Sequence, residues 1–266
     1  MQAARKINTE MTSLIRYNCE VCKDTGMEIY EEVDTETYGK PVKITMGRPC
    51  PACSGGLKAN AERNKQLSGI PDNCIDSTME DFDFDLYGQD MRALQKATSS
   101  FITDFEEWES RSMGMYFFSE TKGSGKTFLS CCLANEIMER YGKRAKFIRC
   151  ADILNRIQQD EDEGNHNLID VLSKTDLLIL DDLGSRRAVD WLNDVLFRII
   201  DARMALNKPI LVTSNMDFDG LRKMNIDERV LDRLFNATYV IKLPEVSIRQ
   251  QIARKKKTDF FNSLIS

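Results

Sequence analysis

The chain has 266 residues, 42% of them hydrophobic and 30% charged, and a formal net charge of −5 from 37 basic and 42 acidic side chains. That balance suits a globular protein with a real core and argues against a chain built purely to coat nucleic acid, although it leaves room for a local basic face. A single histidine, His166, leaves almost no material for serine–histidine–aspartate hydrolysis or multi-histidine metal chemistry, and no run approaches the roughly 18 apolar residues of a membrane span.

The first 18 residues are polar and lack the apolar centre of a signal peptide, so we expect a cytosolic chain with reduced thiols. Residues 1–60 carry two spaced pairs, Cys19-x-x-Cys22 and Cys50-x-x-Cys53. Four thiolates suffice for a closed tetrahedral Zn²⁺ site, and a closed site is structural. The 27 residues between the pairs (23–49) exceed the usual short ribbon, but Gly26, Gly47, Gly55 and Gly56 suit tight knuckles around a metal. A segment this small has little core, so metal would supply much of its folding energy. The competing readings are four unrelated buried cysteines, or a redox pair. Cys74, Cys131, Cys132 and Cys150 read as small buried hydrophobes.

Residues 61–75 read as a polar linker containing the turn signal Ser68-Gly69-Ile70-Pro71. An acidic–aromatic stretch follows, then a helix over 89–110. From residue 113 strands and helices alternate: strand 113–118, loop 119–127, a helix ending at Gly142, strand 145–150, helix 151–159, strand 176–180, helix 189–204, strand 208–214, helix 226–235 with Asn225 as N-cap, and strand 238–243. Residues 176–180 are almost wholly apolar, as a strand buried on both faces requires. The alternation predicts an α/β fold with a parallel sheet flanked by helices.

Gly123-Ser124-Gly125-Lys126-Thr127 lies between an apolar strand and an amphipathic helix. Glycines let backbone N–H groups wrap a phosphate, the helix N-terminus adds positive charge, the lysine neutralises outer phosphates and the threonine hydroxyl holds Mg²⁺. Glu120 stands where the full G-x-x-x-x-G-K-T pattern has its first glycine, and it brings a negative charge near the anion. The bland reading is a glycine-rich turn. Asp181 and Asp182 close the buried strand at the edge where open parallel sheets bind ligands. Asp181 is the expected Mg²⁺ partner, acting through water, and Asp182 the candidate for polarising an attacking water. Asn207-Lys208-Pro209-Ile210 lacks the aspartate of a guanine-selecting N-K-x-D, which favours ATP over GTP. Asn215 would sit beside the γ-phosphate. Arg229 and Arg233, four apart, share one helical face, whose bland reading is a solvated stripe with acidic partners.

In order, GSGKT, LLILDDLG, LVTSN, ERVLDRL and Ser247-Ile248-Arg249 resemble the AAA+ ATPases of the DnaC/DnaI type, the bacterial and phage replicative helicase loaders, over roughly residues 76–250. The cysteine pairs, with CKDTG at the first, are similar to the zinc-binding N-terminal domain of DnaI-like loaders. The resemblance implies an AAA+ P-loop core over residues 76–266 behind a small Cys₄ domain. It implies Lys126 and Thr127 as Walker A, Asp181 and Asp182 as Walker B, Asn215 as sensor 1, Arg233 as an arginine finger assisted by Arg229, and Arg249 as sensor 2. It further implies self-association through the ATPase domain, a DnaB-type helicase bound by the zinc domain, and single-stranded DNA bound by the segment after the second strand. There Lys146, Arg149 and Arg156 are the candidate phosphate contacts, and the acidic run after Ile157 is expected as a solvated loop. The basic, aromatic C-terminal stretch reads as a flexible tail. Two other readings stay open: an IstB-like transposition helper ATPase and a non-hydrolysing adaptor.

Overall fold

The computed structural model describes residues 27–34, 42–50 and 55–265, which fall into two compact units, 1–63 and 64–266. In the first unit, β1 (Met27–Asp34) and β2 (Val42–Pro49) form an antiparallel hairpin in register from Met27↔Pro49 to Asp34↔Val42. This pairing lies wholly within the interval between the two cysteine pairs, so Cys50 follows directly at the open end of the hairpin. Cys19, Cys22 and Cys53 lie outside the described residues.

Helix α1 (Gly55–Ser68) crosses the boundary at 63/64. The expected linker at 61–75 is therefore corrected: it starts within a helix, turns at Gly69 with φ +75°, and ends on Ile70 and Cys74, which are buried in the core of the second unit. The Ser68 hydroxyl accepts from the Ile70 N–H at 3.1 Å and donates to the Lys65 carbonyl at 2.7 Å, so the chain reverses without stranding a polar group.

The second unit is built on five parallel strands, β3 (Gly114–Phe118), β4 (Ala145–Arg149), β5 (Leu177–Leu183), β6 (Ile210–Ser214) and β7 (Thr238–Lys242), in the order β4-β5-β6-β3-β7. Strand alternation divides the core: Met115, Phe117, Leu177 and Ile179 face one helical layer, while Tyr116, Leu178, Leu180 and Val212 face the other. The first layer holds α2 (Arg92–Thr103), α3 (Phe105–Ser110) and α4 (Lys126–Tyr141); the second holds α5 (Ile153–Asp162), α6 (Leu168–Lys174), α7 (Asp190–Ala205), α8 (Phe218–Lys223) and α9 (Glu228–Ala237). Helix α10 (Ile248–Ile265) ends the described chain. The expected α/β parallel architecture holds.

Several local expectations are corrected. The helix expected over 89–110 is broken at Asp104, which leaves helical geometry between α2 and α3. The cap of α9 is Asp227, whose carboxylate accepts from the Arg229 N–H at 2.8 Å. Asn225 instead takes φ +62° and donates its side-chain amide to the Ala188 carbonyl. The acidic run is helical through Asp162, and Asp160 caps α6 by accepting from Asn167 and Leu168 N–H at 2.7 and 2.8 Å. The C-terminal stretch is α10, a helix whose residues from Gln251 to Leu264 are exposed. Among the described residues no helix is long and apolar enough to cross a membrane.

Candidate nucleotide site

Chain order and sheet order part company at β3, which sits between β6 and β7 while its direct successor β4 lies at the far edge. Crevices at such switch points, beyond the carboxyl ends of parallel strands, are where ligands bind. The loop from β3 to α4, the end of β5 and the end of β6 all open there.

The loop takes its shape from two left-handed glycines, Gly123 (φ +81°) and Gly125 (φ +95°). A Cβ at position 123 would meet the Arg249 Cβ at 2.9 Å, and one at 125 would meet the Tyr87 hydroxyl at 3.2 Å, so both are glycine for space as well as conformation. Position 120 is not among the positive-φ residues, and Glu120 is exposed. The missing first glycine thus imposes no backbone strain. Tyr87 donates to the Ser124 carbonyl at 2.6 Å and fixes the loop from beneath.

Lys126 is buried, and among the described residues its ammonium donates only to neutral acceptors: the Ser119 carbonyl at 3.0 Å, the Thr121 carbonyl at 3.3 Å and Ser124 Oγ at 3.1 Å. Burial pulls its pKa down; Glu245, Asp182 and Asp181 oppose this, and Arg249 adds to it. A buried cation with no bonded counter-ion among the described residues, set in a glycine loop at the start of a helix, is a fit for an anionic phosphate.

Asp181 is buried at the end of β5, and its Oδ1 accepts from Thr127 Oγ1 and from Thr213 Oγ1, each at 2.7 Å. Burial raises its carboxyl pKa, the two hydroxyl donors and Arg149 lower it, and Asp182 raises it again. Thr127 and Asp181 thus bring two hard oxygens to one point, a donor set suited to Mg²⁺. The β5–β6 register slips between Leu180 and Leu183, and Asp182 takes φ +57°. That bulge turns Asp182 toward Asn215, whose Nδ2 donates to Asp182 Oδ1 at 2.9 Å. Thr213, which sequence reasoning missed, serves both acids: its hydroxyl accepts from the Asp182 N–H at 2.9 Å while donating to Asp181. Its signal was a hydroxyl closing an otherwise apolar strand.

Arg249 joins the loop through its backbone, whose N–H donates to the Gly123 carbonyl at 3.1 Å; its side chain is exposed. Arg229 and Arg233 do lie on one face, both above the Phe197 ring with centroid distances of 5.2 and 5.6 Å. Arg229 bonds Asp194 and Asp227, and Arg233 bonds Asp201 at 2.8 Å and Asp232 at 3.3 Å. Among the described residues, neither is bonded to the loop of its own chain. Arg149 and Arg156 are exposed, whereas Lys146 is partly buried and donates to the Leu67 carbonyl. Of the four cysteines expected to hold zinc, only Cys50 is described, and it is buried; among the described residues there is no cluster of three metal-ligating side chains.

A five-stranded parallel sheet with a glycine loop feeding a helix, and paired carboxylates on a nearby strand end, defines an α/β P-loop protein. Residues 59–257 match the family model described as IstB-like ATP binding protein, and the chain belongs to that family. It is 28% identical over 185 residues to the replicative helicase loader DnaC of Escherichia coli (strain K12), covering 68% of this chain and 72% of that protein. It is 25% identical over 171 residues to the DnaC of Buchnera aphidicola subsp. Schizaphis graminum (strain Sg), covering 63% and 66%. Among solved structures, the crystal structure of DnaI aligns with a TM-score of 0.54 at 24% identity, covering 66% of this chain and 95% of that one. The AMPPCP-bound DnaA from Aquifex aeolicus aligns at 0.56 and 20% identity, covering 73% and 57%. These matches bear out the AAA+ core and the resemblance to the DnaC/DnaI type.

Proposed function

We propose that this chain is an ATP-dependent loader of a DnaB-type replicative helicase onto single-stranded DNA. The observation that carries the reading is the meeting of Lys126, the Thr127–Asp181 contact and the Asp182–Asn215 pair at one strand end, in a chain related over most of its second unit to proteins named replicative helicase loaders. Lys126 and the loop amides would hold the phosphates, with Arg249 beside them. Thr127 and Asp181 would hold Mg²⁺, which supplies positive charge against the phosphate oxygens. Asp182, oriented by Asn215, would accept a hydrogen bond from the attacking water. Co-purification with a hexameric helicase supports this reading, and co-purification with a transposase in its place supports the IstB-like helper, which the family description favours.

Arg233 and Arg229 act, in this reading, on ATP held by a neighbouring copy. Their present partners are surface ion pairs, each worth only about 0–1 kcal/mol, so exchanging them for a neighbour's phosphates costs little. Hydrolysis per chain should therefore rise with protein concentration, and Arg233→Ala should lower the assembled rate by roughly 10³-fold while ATP binding persists. A rate per chain that stays flat with concentration counts against it.

Zn²⁺ on Cys19, Cys22, Cys50 and Cys53 belongs to the same proposal. Its support is the hairpin register, which pairs Met27 with Pro49 within the stretch of sequence that separates the two cysteine pairs. A helicase pull-down with and without residues 1–60 tests the partner role of this segment. For DNA, exposed Arg149 at the end of β4 and exposed Arg156 on α5 are the phosphate contacts we assign.

A further inference from the structure

The loop has a second brace that no sequence motif marks. Glu245 lies in the turn between β7 and α10. Its Oε2 accepts from the Thr121 N–H at 2.7 Å and from Ser119 Oγ at 3.0 Å, and its Oε1 accepts from the Glu120 N–H at 3.2 Å. Four residues on, the Arg249 N–H bonds the Gly123 carbonyl. The segment 245–249 therefore grips the loop at both limbs.

We propose that Glu245 is a positioning residue for the nucleotide, a side chain from outside the loop that sets the limb Ser119–Thr121 where the usual first glycine is absent. This rests on the nucleotide reading of the site. The reason lies in what Lys126 does. Its ammonium holds the Ser119 and Thr121 carbonyls, the same limb, from the other side. A phosphate that recruits Lys126 withdraws those two bonds, and the three bonds to Glu245 are what then keep the limb in shape. Burial pushes the Glu245 carboxyl up, but the donors Thr121, Glu120 and Ser119 outweigh it and hold it below the usual range, so the acceptor is ionised at neutral pH. Glu245 is also the foremost of the charges opposing the effect of burial on Lys126.

The test is ATP affinity by direct titration, with thermal melting alongside. Glu245→Ala removes all three acceptors and should weaken ATP by about tenfold, with melting within about 3 °C of wild type. Glu245→Gln can keep its carbonyl oxygen in the Oε2 position, with both the Thr121 and Ser119 bonds, and should bind within about threefold of wild type. Were the alanine variant unable to fold, the glutamine result decides alone. Alanine binding within about twofold of wild type overturns the inference, as does a glutamine variant weakened by about tenfold. Failure of the wild-type chain to bind ATP overturns the nucleotide reading itself and this inference with it.

Discussion

Lys126→Ala should lose ATP affinity by about a hundredfold, close to 2.7 kcal/mol, without loss of fold. The side chain is buried against three neutral oxygens, and burial already depresses its pKa. Keeping a cation there costs the free protein stability that Glu245, Asp182 and Asp181 offset only in part, and an anion in the loop would compensate further. Deleting the ammonium should leave the melting temperature unchanged or slightly raised while the phosphate loses its strongest charge partner. A fluorescent ATP analogue and a thermal melt on the same samples separate the two effects. Retained affinity within about threefold would place the phosphates elsewhere.

The second large effect is structural. Arg203, on α7, is fully buried, and among the described residues its guanidinium bonds backbone carbonyls and no carboxylate. Nη1 donates to the Leu172 and Thr175 carbonyls at 2.7 and 2.9 Å, and Nη2 to those of Pro209 and, at 3.4 Å, Asp176. It thus satisfies the backbone at the end of α6 and at the starts of β5 and β6 together. Burial pulls its pKa down to about 9, opposed by Asp176, so it stays charged at neutral pH. Arg203→Ala strips those carbonyls of their guanidinium donor and leaves a large void, and should cost about 3–5 kcal/mol. Arg203→Lys should recover little, because one ammonium cannot reach the acceptors that the planar fork spans. Urea denaturation measures both; a loss below about 1 kcal/mol would show that water replaces the guanidinium.

Much of this architecture was legible from the sequence. The near-continuous apolar run at 177–180 announced a strand buried on both faces, and Gly142, with φ +63°, ends α4 where a C-cap was expected. The site residues from Lys126 to Asn215 were legible because each closes or opens an element with strong periodicity. What escaped depends on partners distant in sequence. Thr213 looks like any strand-end hydroxyl until the bulge at Asp182 turns a backbone N–H toward it. Arg203 and Glu245 are unremarkable in a helix and a turn, and their importance lies in carbonyls and amides 6 to 31 and 124 to 126 residues away. Asn225 fits a cap by local pattern, but Asp227 sits next to the first helical turn and the Asn225 side chain is held by the Ala188 carbonyl.

In the proposed site a triphosphate lies between the loop at Lys126 and a cation held near Thr127 and Asp181. Titration of ATP into the wild-type chain and into Asp181→Asn, each with Mg²⁺ and with a chelator, tests it most directly. Mg²⁺ should tighten ATP binding to the wild type by about tenfold or more and change binding to Asp181→Asn by less than about threefold. Equal affinity with and without Mg²⁺ in the wild type, or an undiminished Mg²⁺ effect in Asp181→Asn, would contradict it.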